Sequence, residues 1–544
     1  MSSRSTHPDT IFWLVAIALL FGLLGSTTMW QSEDRWLEVA REMLLSGKYF
    51  HPTVNNVLYF DKPLFSYWLV AGVSSISGLN EWALRIPSAL AALIALWATR
   101  DLAKQLWNVQ TARYAGWILL TSFGFLQWGR LGEADMENLA AAILAVSWYW
   151  RHRERASFWG YLIFYLILSI GAQCKGLTAM IVPGLAVLAD IIGARRWRTH
   201  FNLAHCVAIA IGAGVYLLPF LLAPADPHSN APTGAHVGLW LVLRENIIRY
   251  VAPFDHTGPV YTYLIAIPRH LLPWSMAFVF ALVAGFRNRW HEANQARWVL
   301  AVFVLIFAFF TLSGSRRHYY ILPILPYCAL MTAVYLQTAR SRIALQITAA
   351  LLTGAGVLQL SLLGFFPHLN HALNGALPIE VKWSSAGIGA LLLLAMALIY
   401  RCWRERRDAL MASCIAGAVI LLGGFFFKHQ LTIDRFRTEA DFARQLAPIV
   451  AQHPDLQIVT FKDRPAAKLL FYADLPPTIR VAESATELQQ LIANTEQPTL
   501  VLSYREFDSR LPAEITAQTP LLAEHEFAWE KNNKDKMRTW LIRK

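Results

Sequence analysis

Long apolar runs alternate with short basic segments along most of the chain, and the alternation stops near residue 430. A helix needs about 20 apolar residues to cross a bilayer. Thirteen segments approach that length, near 10–29, 83–101, 113–129, 137–151, 158–173, 177–193, 204–222, 269–286, 298–313, 319–336, 342–364, 384–400 and 410–428. The stretch "LFSYWLVAGVSSISG" (64–78) is too short and too rich in Ser and Gly for a span, and reads as a helix skimming the membrane surface. The first run lacks a small-residue cleavage site and reads as a retained span. The segments "RDLAKQLWNVQTAR", "RHRER", "ARRWR", "RNRWHEANQAR", "ARSR" and "RCWRERR" each carry two to four Lys or Arg. With thirteen spans they all lie on the side of the N-terminus, which the positive-inside rule makes the cytoplasm. Counting 64–78 as a span would flip every later loop. The same count leaves 30–82, 223–268 and 365–383 outside, together with the C-terminus. Within the second of these loops, "APADPHSNAPTGAH" has the composition of a mobile segment.

Beyond 430 the period changes. "TEADFARQLAPIVAQ" has helical spacing, while "LQIVTF", "TIRVA" and "TLVLSY" are β-branched runs separated by helical segments such as "ATELQQLIAN". This pattern predicts a soluble α/β domain over 430–544, after a membrane domain over 1–429. It has no glycine-rich phosphate loop, so it reads as a domain that shapes or covers a site.

Composition agrees with this division. The chain is 56% hydrophobic and 15% charged over 544 residues, with a mean hydropathy of +0.37. Soluble proteins carry about 25% charge. The net charge of +12 lies mostly in the short loops, and no basic domain marks a nucleic-acid partner. The five cysteines have no metal-ligand spacing and suggest no disulfide framework.

Candidate chemistry gathers on the outer side. In "WQSEDRWLEVAREM" (30–43), Trp36, Val39, Ala40, Met43 and Leu44 recur at helical spacing, with Glu38, Arg41 and Glu42 on other faces. The pattern is that of an amphipathic helix in the membrane interface. Glu33 and Asp34 at its start are either an acidic cap complementing the helix dipole or a catalytic pair. "YFDKP" places Asp61 and Lys62 before a proline. In "GRLGEADMENLA", Glu133, Asp135 and Glu137 begin a span, and Arg130 is near enough in sequence to pair with Asp135. Lys175 sits in the turn "CKGL". "RENIIRYVAPFDHTGP" brings Glu245, Arg249, Asp255 and His256, and "SRRHYYILPILP" brings Arg316, Arg317, Tyr320 and two prolines that predict a kink. Basic groups beside acids on the outer face suit lipid phosphates. A divalent ion at His256 and Asp61 is left open.

These patches, in this order, resemble the superfamily of bacterial lipid A aminoarabinose transferases and protein O-mannosyltransferases, which have the GT-C fold. The resemblance rests on "EDRWLEVAREMLLSG", "YFDKPLFSYW", "EADMENL", "CKGL", "LPW" (272–274) and "YYILPILP". It implies a polytopic, mainly helical membrane glycosyltransferase of the bacterial inner membrane with a periplasmic C-terminal domain. Such an enzyme moves a sugar such as 4-amino-4-deoxy-L-arabinose from undecaprenyl phosphate to lipid A, with inversion. It implies no required cofactor. By position, the catalytic carboxylate falls on Glu33 or Asp34, and Glu33 keeps the family's distance from Trp30 and Gln31. Lys62 would bind the donor phosphate with Arg35 and Tyr320 nearby, and Asp135 would support the site. The chain departs from the family pattern in having its acidic pair directly before Arg35, one residue closer than usual, and in "DK" for "EK". Alternative acceptors are lipopolysaccharide core, another glycan or protein. A lipid flippase or transporter would also be polytopic, but it predicts an internal repeat, which is absent from the hydropathy pattern. No signal fixes the oligomeric state, and a monomer suffices.

Overall fold

The computed structural model describes residues 7–155, 157–194, 200–223, 237–287, 293–338, 341–373, 375–402, 406–463, 466–526 and 534–543. The stretch read from sequence as mobile lies, from 224 on, outside the described residues. Among the described residues, six helices are long and apolar enough to cross a membrane, or seven if one bent pair counts as a single span. Five shorter apolar helices, among them Phe158–Cys174 and Thr178–Ala194, occupy further segments expected to span. Large side chains such as Leu351, Leu358, Phe365, Leu391, Leu394 and Leu398 stand exposed on Arg342–Ala372 and Ile379–Cys402. A belt of that kind is stable against lipid and not against water. The chain is a multi-pass membrane protein.

Several expected spans are interrupted. The segment 113–129 divides into helices Val109–Leu120 and Phe123–Gly129. At the break, the Thr121 and Ser122 hydroxyls donate to the carbonyls of Trp117 and Ile118, and Trp274 Nε1 donates to Thr121 Oγ1 at 2.9 Å. The segment 269–286 is the second arm of a pair, Thr262–His270 and Ser275–Phe286, bent by 118° around "LPW". The two prolines of "YYILPILP" produce a short 3₁₀ turn, Leu322–Ile324, ahead of helix Leu325–Leu336. The last span does not stop at 428: it passes through a widened turn, Phe425–His429, and continues to Asp434.

The C-terminal region carries a five-stranded sheet. Its strands, numbered after the two of the first loop, are β3 (Gln457–Phe461), β4 (Arg480–Ala482), β5 (Thr499–Tyr504), β6 (Leu522–Ala523) and β7 (Met537–Ile542), in the order β4-β3-β5-β7-β6. β3 pairs in parallel with β4 and β5, while β7 runs antiparallel to β5 and β6. Both faces are covered, one around Phe442, Leu446 and Leu470 and the other around Leu488, Ile515 and Trp540. This burial on two faces is why β3 and β5 are almost continuously apolar.

The first loop joins the two regions. Helix Glu33–Ser46 ends at Gly47, whose φ of +69° closes a left-handed cap. A hairpin follows, β1 (Thr53–Val54) and β2 (Val57–Leu58), turned by Asn55 and Asn56 at φ +56°, as a tight two-residue hairpin turn requires. The acidic face of the helix is not turned to lipid headgroups, as the interfacial reading expected. Glu38 and Arg41 form a buried pair, and Arg41 also donates to Leu475 O of the C-terminal region. Glu42 accepts from the backbone N–H groups of Asn55 and Asn56. The Asn55 side chain in turn pairs with both backbone groups of Ile479. Burying these charges is affordable because each has a geometrically matched partner.

Glu33 begins that helix. Arg85, on helix Glu81–Leu106, grips its carboxylate with two bonds of 2.8 Å. The same guanidinium binds the carbonyls of Leu24, Thr27 and Thr28, where the chain leaves its first helix, His7–Phe21. Removing one partner of a buried pair costs about 3–5 kcal/mol. Arg85→Ala is therefore expected to lower the melting temperature of the detergent-solubilised protein by several degrees, read by tryptophan fluorescence. An unchanged melting temperature would remove this pair from the structural account.

Candidate active site

A cavity of about 590 Å³ opens between the first loop and the outer ends of the helix bundle. Its size is that of a small-molecule site. Four separate stretches of chain line it with charge. The first loop supplies Arg35, Tyr59, Asp61 and Lys62. Arg35 donates to the Tyr59 hydroxyl at 2.9 Å, Tyr59 to Asp61 at 3.3 Å, and Lys62 to Asp61 at 2.8 Å. Burial works to raise the Asp61 pKa, but Lys62, Arg249 and Arg35 together outweigh it and hold the carboxyl below its usual range.

The second stretch runs from Glu133 to Asn138 and meets the third, the Lys175 turn. Lys175 pairs with Asp135 and lies 4.9 Å from the centre of the Tyr319 ring. The turn holds its shape through Gly176, at φ +137°. A Cβ there would stand 2.9 Å from Asn246 Oδ1, and that oxygen accepts the Leu177 N–H. Asn138 donates to Gly176 O, which ties the turn back to the helix that carries Asp135. The fourth stretch brings Glu245, Arg249, Asp255 and His256. Arg249 reaches Asp255 through Nε at 3.0 Å and also pairs with Glu245. Tyr320 closes the wall.

Among the described residues, the cavity thus gathers four cations, Arg35, Lys62, Lys175 and Arg249, with five carboxylates, Asp61, Glu133, Asp135, Glu245 and Asp255. Seven residues chosen from the sequence meet here: Arg35, Asp61, Lys62, Asp135, Lys175, Arg249 and Tyr320. The metal candidates His256 and Asp61 both line the wall, and His256 contacts Asp255 at 3.3 Å and Arg317 at 2.7 Å. No group of three or more His, Cys, Asp or Glu side chains that could hold a metal ion is found among the described residues.

Other expectations are corrected. Glu33 and Asp34, the candidates for the catalytic carboxylate, do not line the cavity. Glu33 is fully buried, and its oxygens accept from Arg85 as well as from Trp30 N at 2.8 Å and Gly132 N at 2.7 Å. No acceptor position is left for a substrate. Asp34 is raised above the usual carboxylate range by burial, against the opposing charges of Lys468 and Arg35, so its neighbourhood includes the C-terminal region. Arg130 does not pair with Asp135. It donates to the carbonyls of Leu19, Leu20 and Gly22, capping the first helix. Arg316 and Arg317 lie outside the lining: Arg316 bonds to the carbonyls of Thr311 and Gly258, and Arg317 holds His256.

One carboxylate of the site was left aside in the sequence reading. Glu133 is 4% exposed and accepts the Ser32 N–H at 3.1 Å. Burial and the neighbouring Asp135 charge push its pKa up to about 8. Its signal was its place two residues before Asp135 in the same acidic motif.

Comparison with known proteins converges with this geometry. Residues 61–222, which carry Lys62, Glu133, Asp135 and Lys175, match the family model described as dolichyl-phosphate-mannose-protein mannosyltransferase. An undecaprenyl phosphate-alpha-4-amino-4-deoxy-L-arabinose arabinosyl transferase of Pseudomonas aeruginosa (strain UCBPP-PA14) is 29% identical over 77% of this chain and 75% of its own. One from Pseudomonas fluorescens (strain Pf0-1) is 30% identical over 58% of this chain. There the match spans 56% of the relative, little more than half its length. The crystal structure of ArnT from Cupriavidus metallidurans bound to undecaprenyl phosphate superposes with a TM-score of 0.74, covering 98% of each chain at 19% identity. The chain thus has the fold of that crystal structure, and in sequence it is similar to the aminoarabinose transferases and, over residues 61–222, to the mannosyltransferase family.

Proposed function

We propose that this protein is an inverting glycosyltransferase that moves 4-amino-4-deoxy-L-arabinose, or a closely similar sugar, from undecaprenyl phosphate to lipid A. The reaction takes place on the periplasmic face of a bacterial inner membrane, with the N-terminus cytoplasmic and the C-terminal α/β domain periplasmic. In this reading the expected segments, including the short helices, make up thirteen spans. The observation that carries the proposal is the cavity's charge: four cations and five carboxylates face one space. A site of both signs suits a ligand with an anionic phosphate and a cationic amino sugar.

The residues divide the work. Arg35, Lys62, Lys175 and Arg249 receive the charge that develops on the leaving undecaprenyl phosphate. Carboxylates beside Lys62, Lys175 and Arg249, and the Tyr59 hydroxyl beside Arg35, hold the long side chains in place before the ligand arrives, which spares reorganisation in the transition state. The acceptor oxygen forms its bond to the anomeric carbon as the carbon–oxygen bond to phosphate breaks, and the electron pair leaves with the phosphate. One displacement inverts the centre. A lipid A phosphate acceptor is already ionised, so little base is needed. The carrier supplies the activated sugar, so no nucleotide or other cofactor enters the scheme.

Mass spectrometry of lipid A from cells with and without the protein tests the assignment. Addition of one aminoarabinose is expected only with it, and identical profiles would reject lipid A as acceptor, leaving core polysaccharide, another glycan or protein. In a reconstituted transfer assay, Lys62→Met or Arg249→Met is expected to lower kcat/KM by about 10²–10³-fold, the scale for one lost charge-stabilising donor. Chelation with EDTA is expected to leave the rate unchanged. A rate that falls on chelation and returns with a divalent ion would bring Asp255 and His256 forward as ligands.

A further inference from the structure

Among the described residues, every carboxylate of the cavity but one is matched by a cation. Asp61 is matched by Lys62, Asp135 by Lys175, and Glu245 and Asp255 by Arg249. Glu133 forms no ion pair among the described residues. Its Oε1 accepts one backbone N–H, from Ser32, and its Oε2 accepts no hydrogen bond among the described residues. The side chain is nevertheless nearly as buried as a core residue. Taking a carboxylate out of water without a cation is costly, and no protein cation meets that cost here. Lys175, the nearest candidate, is taken by Asp135 and lies against Tyr319. Glu33, which could have shared the role from the adjacent loop, is saturated by Arg85 and two backbone N–H groups. One carboxyl of the cavity is therefore left without a cation, and burial keeps it largely protonated until a cation arrives.

We propose that Glu133 selects an amino sugar, its carboxylate pairing with the ammonium group of the donor sugar in the cavity. The Ser32 N–H fixes one oxygen, leaving the other to face the ligand. A sugar with a hydroxyl in place of the amine would offer Glu133 no counter-charge, so its carboxyl would stay protonated and the ion pair would not form. Glu133 thus discriminates through the substrate and takes no part in bond making. This inference rests on the glycosyl-transfer reading above.

The test compares two donors with the full-length protein in detergent and lipid A as acceptor. One is undecaprenyl phosphate carrying 4-amino-4-deoxy-L-arabinose, and the other carries L-arabinose. Wild type is expected to favour the amino donor. Glu133→Gln keeps the size and the bond to Ser32, and is expected to lower kcat/KM for the amino donor by about 10- to 100-fold, the scale of a charged hydrogen bond. It should leave the arabinose donor unchanged or improved, and Glu133→Asp should restore part of the preference. Equal losses on both donors would overturn the selective role in favour of a base or a structural group. Full activity of Glu133→Gln on the amino donor would overturn it outright. Failure of wild type to consume either donor would instead overturn the glycosyl-transfer reading, and this role with it.

Discussion

A single buried carboxylate, Glu33, sets the geometry of the outer face. Arg85 meets it from the second long helix while also binding three carbonyls of the segment that leaves the first helix. Gly132 and Trp30 complete its shell. One ion pair therefore fixes the start of the first-loop helix, the end of the first membrane helix and the loop that presents Glu133. A buried charge has few tolerable arrangements, because any shift leaves a donor or acceptor unpaired at low dielectric. This intolerance holds the loop segments on one side of the cavity to a single arrangement.

The cavity inherits that rigidity. Its cations do not hang free from loops: Lys62, Lys175 and Arg249 are each braced by an acid, and Arg35 by the Tyr59 hydroxyl. Lys175 reaches back to the helix of Asp135, and Arg249 is clamped within its own segment by Glu245 and Asp255. Long basic side chains lose much rotamer entropy when ordered. Here that loss falls on folding and not on ligand binding. The C-terminal sheet contributes from behind, through Leu475 and Ile479 against the first loop, and Tyr472 against Met29 and Glu81.

The same acidic pair illustrates how far the chain could be read in one dimension. "EDR" after an apolar run marks a charged first loop at the membrane face, and the later basic patches mark its partners. Lys62, Asp135, Lys175, Arg249 and Tyr320, all of which line the cavity, were legible as candidates because charge at the outer end of a span has few structural uses. Glu33 was legible as important but not in its role. Arg85 lies 52 residues on, inside an apolar helix, with no motif to announce it. Arg130 was misassigned for the same reason: proximity in sequence to Asp135 says little, whereas the carbonyls it caps belong to the first helix.

Hydrophobic period alone determines that this chain is a multi-pass helical protein followed by alternating strands and helices, because apolar length and spacing are local properties. Residue type and order carry the resemblance to the superfamily and pick out most of the charged groups that line the cavity. Tertiary structure decides which charges meet. Interruption at Thr121 and bending at "LPW" depend on hydrogen bonds and packing that no window of sequence contains. So does the distribution of carboxylates, which places Glu33 in the framework, turns Asp34 toward the C-terminal region and leaves Glu133 facing the cavity. An ionised group is defined by its partner, and here the partners come from distant parts of the chain.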